Sequence, residues 1–338
     1  IGVLYVQRER LIVIDVTRSI GCHKWRTLDP EIDPPFTIQL NKNRNILGTS
    51  ISEFQRKERV NIYSSQYAVL NDILFSCGHT DGMVKASRLS VGKVVQSIKH
   101  PYGKVKCLTL CDKYLVTGSF DCSIIVWNIN AGTTSVGNSN SNNSIIIDGP
   151  IHTLVGHDDP ITSLSINLKL DVLVSASEDG TCIIYNFASG EYGRTIINTV
   201  DDDTSSSSVI EWVGLSPNGS IVTYQSDSLH LYTMNGKLMG ITKIPQDDVL
   251  TSLLFNESGN YLITGGRKGV LRIYGLYAMC PWELVDQIEC QSSITAIHYT
   301  PEERHLLLGL ATGVLQIRAL DNQYLRDRLK NRLQSIGL

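Results

Sequence analysis

One pattern recurs along this chain with a period of roughly 40 to 60 residues: short apolar runs that alternate with polar residues and are parted by turn residues. The clearest copy lies between Val155 and Phe187. It reads Ile161-Thr-Ser-Leu-Ser-Ile166, then Val172-Leu-Val-Ser-Ala-Ser177, then Thr181-Cys-Ile-Ile-Tyr185. Alternation of this kind marks strands, and Glu178-Asp179-Gly180 is a tight-turn signal because glycine adopts positive φ at no steric cost. The copy therefore predicts a small antiparallel sheet. Such a sheet alone leaves two faces and an edge unburied, so a series of them must close into a ring.

Matching the rest of the chain to this copy gives seven units, at about 1–40, 61–99, 100–130, 151–198, 209–245, 249–289 and 292–320. The predicted fold is all-β: a seven-bladed propeller of four-stranded antiparallel blades over 1–320, then a basic amphipathic tail over 321–338. The first unit is assigned Val3–Val6, Leu11–Val16, Ile20–Trp25 and Phe36–Leu40. The seventh shows only three strands, and its fourth is expected from upstream of Ile1 or from the tail after Leu320. Residues 41–61 read as a long connection. Ala131–Ser144 and Asp201–Ser208 read as polar loops with almost nothing to bury.

Composition narrows the function. A net charge of -3 with 19% charged residues is too nearly neutral for a general nucleic-acid binder. The eight cysteines are scattered through apolar runs, and Cys107 and Cys111 have no second pair at zinc spacing, so all are expected reduced, as in the cytosol. No run approaches the length of a membrane span. The apolar start without an initiator Met predicts a C-terminal piece of something longer.

The polar residues of the clearest unit resemble those of the WD40 repeat: Gly156-His157, then Leu173-Val174-Ser175, Asp179-Gly180, and Tyr185 where the repeat usually has Trp. The resemblance implies a buried hydrogen-bonded chain of His157, Ser175, Asp179 and Tyr185, which is how a carboxylate taken out of water is satisfied. In the third unit Thr117, Asp121 and Trp127 hold the equivalent strand, turn and aromatic positions. His100 there stands one residue farther from its strand than His157 does. A catalytic Ser/His/Asp set is the rival reading, but the constellation recurs, and a catalytic site is needed once.

Further phrases resemble the C-terminal propeller of BEACH-domain proteins of the neurobeachin and lipopolysaccharide-responsive beige-like anchor family: Pro35-Phe-Thr37, Leu74-Phe-Ser76 with Gly92-Lys-Val94, Thr117-Gly-Ser119, Leu229-His-Leu-Tyr-Thr-Met-Asn-Gly-Lys237 and His305-Leu-Leu-Leu-Gly309. That resemblance implies a large cytosolic scaffold of membrane traffic, with PH-like and BEACH domains as neighbours and proteins as partners. An enzymatic propeller of the glycan-hydrolase class and a WD40 subunit of an unrelated cytosolic complex are the alternatives. The first needs paired carboxylates or an arginine cluster converging on the channel, and the turn carboxylates here sit in the WD position instead. The sequence has no phosphate loop, metal-ligand cluster or nucleophile elbow, so no metal or cofactor is expected.

Candidate partner-binding residues are Trp25, Trp212 and Trp282, which lie outside the repeat's aromatic position, and Arg267 and Lys268 on the sixth turn. In the tail, Leu325, Leu329, Leu333 and Ile336 form one apolar stripe flanked by Arg326, Arg328, Lys330 and Arg332. The spacing predicts a short amphipathic helix, able to dock on the propeller or to touch an anionic membrane.

Overall fold

The computed structural model describes residues 66–79, 81–89, 93–130, 146–197, 209–245, 248–277, 281–300 and 305–319, and four strands of backbone nearer the start of the chain. Among them there is no helix. The early strands are β1 (Val3–Gln7), β2 (Arg10–Ile14), β3 (Ile20–Lys24) and β4 (Phe36–Gln39). The next sheet runs β5 (Tyr67–Leu70), β6 (Ile73–Ser76), β7 (Val84–Arg88), β8 (Lys93–Ile98). It is followed by β9 (Val105–Cys111), β10 (Tyr114–Ser119), β11 (Ile124–Ile129) and β12 (Ile147–Leu154). Then come β13 (Ile161–Asn167), β14 (Val172–Ser177), β15 (Thr181–Asn186) and β16 (Tyr192–Ile197).

The fifth unit holds β17 (Trp212–Leu215), β18 (Ile221–Gln225), β19 (Ser228–Tyr232) and β20 (Leu238–Lys243), and the sixth β21 (Leu250–Phe255), β22 (Tyr261–Gly266), β23 (Val270–Leu276) and β24 (Pro281–Glu289). The last has β25 (Ile294–Tyr299), β26 (His305–Leu310) and β27 (Val314–Ala319). Every pairing is antiparallel between chain neighbours except one. β27 pairs with β4, in the register Leu315↔Ile38 and Gln316↔Thr37. The first sheet therefore keeps only β1, β2 and β3.

The molecule is thus a β-propeller with six four-stranded antiparallel blades, not seven; the remaining sheet is three-stranded. The strand missing from the last blade comes from neither source expected. It is β4, which sequence reasoning had given to the first unit because it follows that unit in the chain. A second correction concerns the third blade. It does not end at 130: β12 pairs with β11, so the boundary set at 151 cuts through a strand of this blade. Pro150 sits opposite Trp127 at a register shift on an edge strand, where the missing N–H costs little.

The core lies in the seams between blades. Cys107, Val116, Ile124 and Leu154 of the third blade pack with Ile161, Leu173, Ile183 and Tyr185 of the fourth. Val174, Ala176 and Ile184 turn the other way, onto Val213, Ile221 and Tyr232 of the fifth. This two-sided covering explains why β14 is buried at all its positions while the outer strand β16 is mostly exposed. Each fully buried Ile or Leu contributes about 1.5–3 kcal/mol, which suffices to lock neighbouring blades together. The loops 131–144 and 201–208, the connection 41–61 and the tail 321–338 lie outside the described residues.

Candidate functional site

Antiparallel order brings two connections to one end of each sheet: the loop entering its first strand and the turn between its second and third. In the fourth blade these are 155–160 and 178–180. Gly180 has φ 77°, which lets the turn close on Ser177 with a backbone bond of 3.3 Å. The turn then points Asp179 back at the entering loop. Asp179 Oδ2 lies 2.9 Å from His157 Nδ1 and accepts the Asp158 N–H at 3.1 Å; Oδ1 accepts from the Thr181 N–H and hydroxyl, each at 2.7 Å. Since a carboxylate only accepts, Nδ1 carries the imidazole proton. Nε2 is left to accept from the Ser175 hydroxyl at 2.7 Å.

Electrostatics fits this tautomer. Burial lowers the His157 pKa below its ordinary 6.5, against the pull of Asp179, so the ring is neutral. Burial works against ionisation of Asp179 too, but hydrogen bonds from Thr181 and His157 outweigh it and hold the carboxyl below 3.8. Tyr185 closes the chain by donating to the Val155 carbonyl at 3.3 Å, and burial pushes its phenol up to about 12. Hydrogen-bond order alone would suit a catalytic triad. Ser175, however, is 0% exposed in the middle of β14, so its hydroxyl meets only the protein.

The third blade has the same residue types in a looser arrangement. Trp127 Nε1 donates to Thr117 Oγ1 at 2.9 Å, as the aromatic position requires. Asp121 Oδ1 is capped by the Ser123 N–H at 3.0 Å and hydroxyl at 2.5 Å. His100 is 1% exposed, yet its Nδ1 stands 3.6 Å from Asp121 Oδ2, beyond hydrogen-bond range, and neither ring nitrogen nor Asp121 Oδ2 finds a partner. Four residues stand between His100 and β9, against three between His157 and β13, and the His100 ring makes no bond to Thr117. Burial lowers the His100 pKa as well, opposed only by Asp121.

The sixth blade satisfies the same end by other means. Asp248, on the entering loop, accepts from Arg272 Nη1 at 2.7 Å and from the Lys268 N–H at 3.0 Å, with both charged side chains nearly sealed from solvent. Sequence reasoning missed this pair because it sought a carboxylate on the turn and found Arg267 and Lys268. An arginine inside the apolar run Val270–Tyr274 was the available signal. Thr181, two residues beyond Asp179, was missed in the same way, as was Lys106, which pairs with Glu178 across the seam between blades three and four.

Arg267 and Lys268 are exposed on the turn after β22. Trp282 is not an exposed anchor: it is 9% exposed, stands edge-on to Tyr274 and donates to the Gly240 carbonyl at 3.0 Å. Trp212 is half-buried against Phe255 in the same seam. Trp25 and the tail residues Leu325, Arg326, Leu329, Lys330 and Leu333 lie outside the described residues. Cys77, Cys107, Cys111, Cys122, Cys182 and Cys290 are in no disulfide, the first two and Cys182 buried. No group of metal-ligating side chains occurs among the described residues.

Known proteins match this geometry and this sequence. The computationally designed Ika8 protein superposes with a TM-score of 0.60 over 94% of this chain and 96% of that one, at 16% identity. A chain of the mitotic checkpoint complex gives 0.59, covering 93% and 82%, at 13% identity. At that identity they speak for the fold alone. In sequence, BEACH domain-containing protein B of Arabidopsis thaliana is 30% identical over 271 residues, 77% of this chain, and BEACH domain-containing protein lvsE of Dictyostelium discoideum is 27% identical over 314 residues, 86% of it. The chain spans only 10% and 13% of those relatives. The sequence profile of the neurobeachin beta propeller domain matches residues 25–328, and the chain belongs to that family.

Proposed function

We propose that this chain is a noncatalytic protein-interaction module, the propeller of a BEACH-type scaffold of membrane traffic. The observation that carries this reading is the sealing of the fourth blade's triad-like set: Ser175 is wholly buried while the loops around it stay on the surface. Hydrogen bonds that serve to hold loops on a rigid frame make a platform for partners. β1 lies against β25, which supports placing the three-stranded sheet as the seventh member of the ring. Partners on this reading are proteins, together with the BEACH and PH-like domains of a longer chain, and the setting is the cytoplasm. Peripheral membrane contact through the tail is part of the proposal; flotation with vesicles of acidic lipid, comparing the chain with one ending at Leu320, tests it.

The main test is an affinity pull-down with the isolated chain and with a chain that carries upstream domains. Proteins retained by both in the same proportion support the module reading. Turnover of glycan substrates by the isolated chain contradicts it.

A further inference from the structure

The third blade's open end differs from the fourth's in more than its hydrogen bonds. On its entering loop, between β8 and β9, Tyr102 is 70% exposed, its ring edge-on to the buried His100 at 6.4 Å. On its turn, between β10 and β11, Phe120 is 43% exposed. The two segments are tied: the Phe120 N–H and the Ser119 hydroxyl both donate to the Lys104 carbonyl at 2.9 Å, and a Cβ on Gly103 would stand 2.9 Å from Ser119 Oγ. Two large aromatic side chains are thus exposed on segments tied to each other, the kind of surface at which interaction sites are built.

Charge narrows what covers them. Asp158 and Asp159, on the entering loop of the adjoining blade, are exposed and make no ion pair among the described residues; only their backbone N–H and carbonyl are engaged. Lys106, 5.5 Å from the Phe120 ring, pairs with Glu178, whose N–H donates to the Pro160 carbonyl at 3.1 Å, and this puts the acidic loop on the same side as the aromatic turn. Of the nearby cations, Lys106 is already engaged with Glu178 and over one face of Phe120 at 5.5 Å, leaving Lys104. Beneath the patch sit three polar atoms without partners: two acceptors, Asp121 Oδ2 and one ring nitrogen of His100, and one donor, the N–H of that ring.

We infer that this end of the third blade, at Tyr102 and Phe120 with Asp158 and Asp159 beside them, binds an extended protein segment that presents an arginine or lysine next to an aromatic or aliphatic side chain. The aromatic pair takes the apolar side chain and faces the cation, and the aspartates hold its charge. Acidic membrane and nucleic acid carry the wrong sign for this surface. The inference rests on the interaction-module reading and names its surface and partner chemistry.

The test uses the 338-residue chain on an array of synthetic peptides. Its arms are Arg/Lys–aromatic sequences, charge-reversed counterparts, and cationic sequences with the aromatics replaced by serine; binders are then measured by fluorescence anisotropy. Cationic aromatic peptides should bind. Tyr102→Ser and Phe120→Ser should each weaken binding about tenfold with unchanged melting, since aromatic anchors dominate such contacts. The double variant Asp158→Asn, Asp159→Asn should weaken it and flatten its salt dependence, and Arg267→Ala should leave it unchanged. Equal binding of charge-reversed peptides, binding indifferent to Tyr102 and Phe120, or no binding in any arm overturns the inference. Binding that ignores these two residues but persists elsewhere on the chain leaves the module reading standing, so the two fail separately.

Discussion

The third and fourth blades carry nearly the same polar residues at the same end, and only one closes its network. In the fourth, Asp179, His157 and Ser175 are joined by bonds of 2.9 and 2.7 Å. In the third, His100 and Asp121 stay 3.6 Å apart, and His100 makes no hydrogen bond. One residue of loop length separates the two outcomes. In the fourth blade the side-chain network ties the entering loop to its blade; in the third the tie is made by the Lys104 carbonyl instead, and Tyr102 and Phe120 stand exposed on the two tied segments.

The largest effect expected at this end belongs to the sixth blade and sets the scale. Asp248→Ala strands the buried Arg272 and should cost about 3–5 kcal/mol, read as a loss in chemical denaturation. Asp179→Ala should come next, at about 1–3 kcal/mol, because it strips His157 and Thr181 of an acceptor. Asp121→Ala should cost less, about 1 kcal/mol, since Ser123 and not His100 is its partner. Equal shifts from Asp179→Ala and Asp121→Ala would break the comparison.

Acid sharpens it. His157 and His100 both have pKa values lowered from 6.5 by burial, so the unfolded chain binds the proton first. Their stabilising contribution is full above pH 6.5 and is lost as pH falls toward the lowered folded values. Burial also lowers His230 and His298, which add to the same limb. His157→Gln and His100→Gln should each flatten this acid limb of a melting-temperature profile, but only His157→Gln should also lower the plateau above it. Asp179 adds a later loss below pH 3.8, its lowered pKa making its stability vanish on further acidification. Smallest of all, Arg267→Ala on its solvated turn should stay within about 0.5 kcal/mol.

Much of this was legible in the sequence, for physical reasons that also mark the limits. The Asp179-Gly180 turn follows from local turn chemistry, and the buried His157 and Ser175 and the Thr117–Trp127 pair are what the resemblance to the WD40 repeat implies. That β4 would pair with β27 follows from neither, because the alternating pattern fixes a strand's faces and not its partner. β12 was missed; it holds Asp148-Gly149-Pro150, which a bulged edge strand tolerates. The Asp248–Arg272 pair was hidden because it swaps which element carries the acid. The gap at His100 was signalled by one extra residue, though not its consequence.

The central claim is that the fourth blade's histidine and aspartate act as a unit and the third blade's do not. Double-mutant cycles measure this directly, with alanine at His157 and Asp179 in one and at His100 and Asp121 in the other, each followed by denaturant unfolding. The predicted result is a coupling of about 1–3 kcal/mol between His157 and Asp179, and less than about 0.5 kcal/mol between His100 and Asp121. Equal couplings in the two blades, or a larger one in the third, would contradict the account.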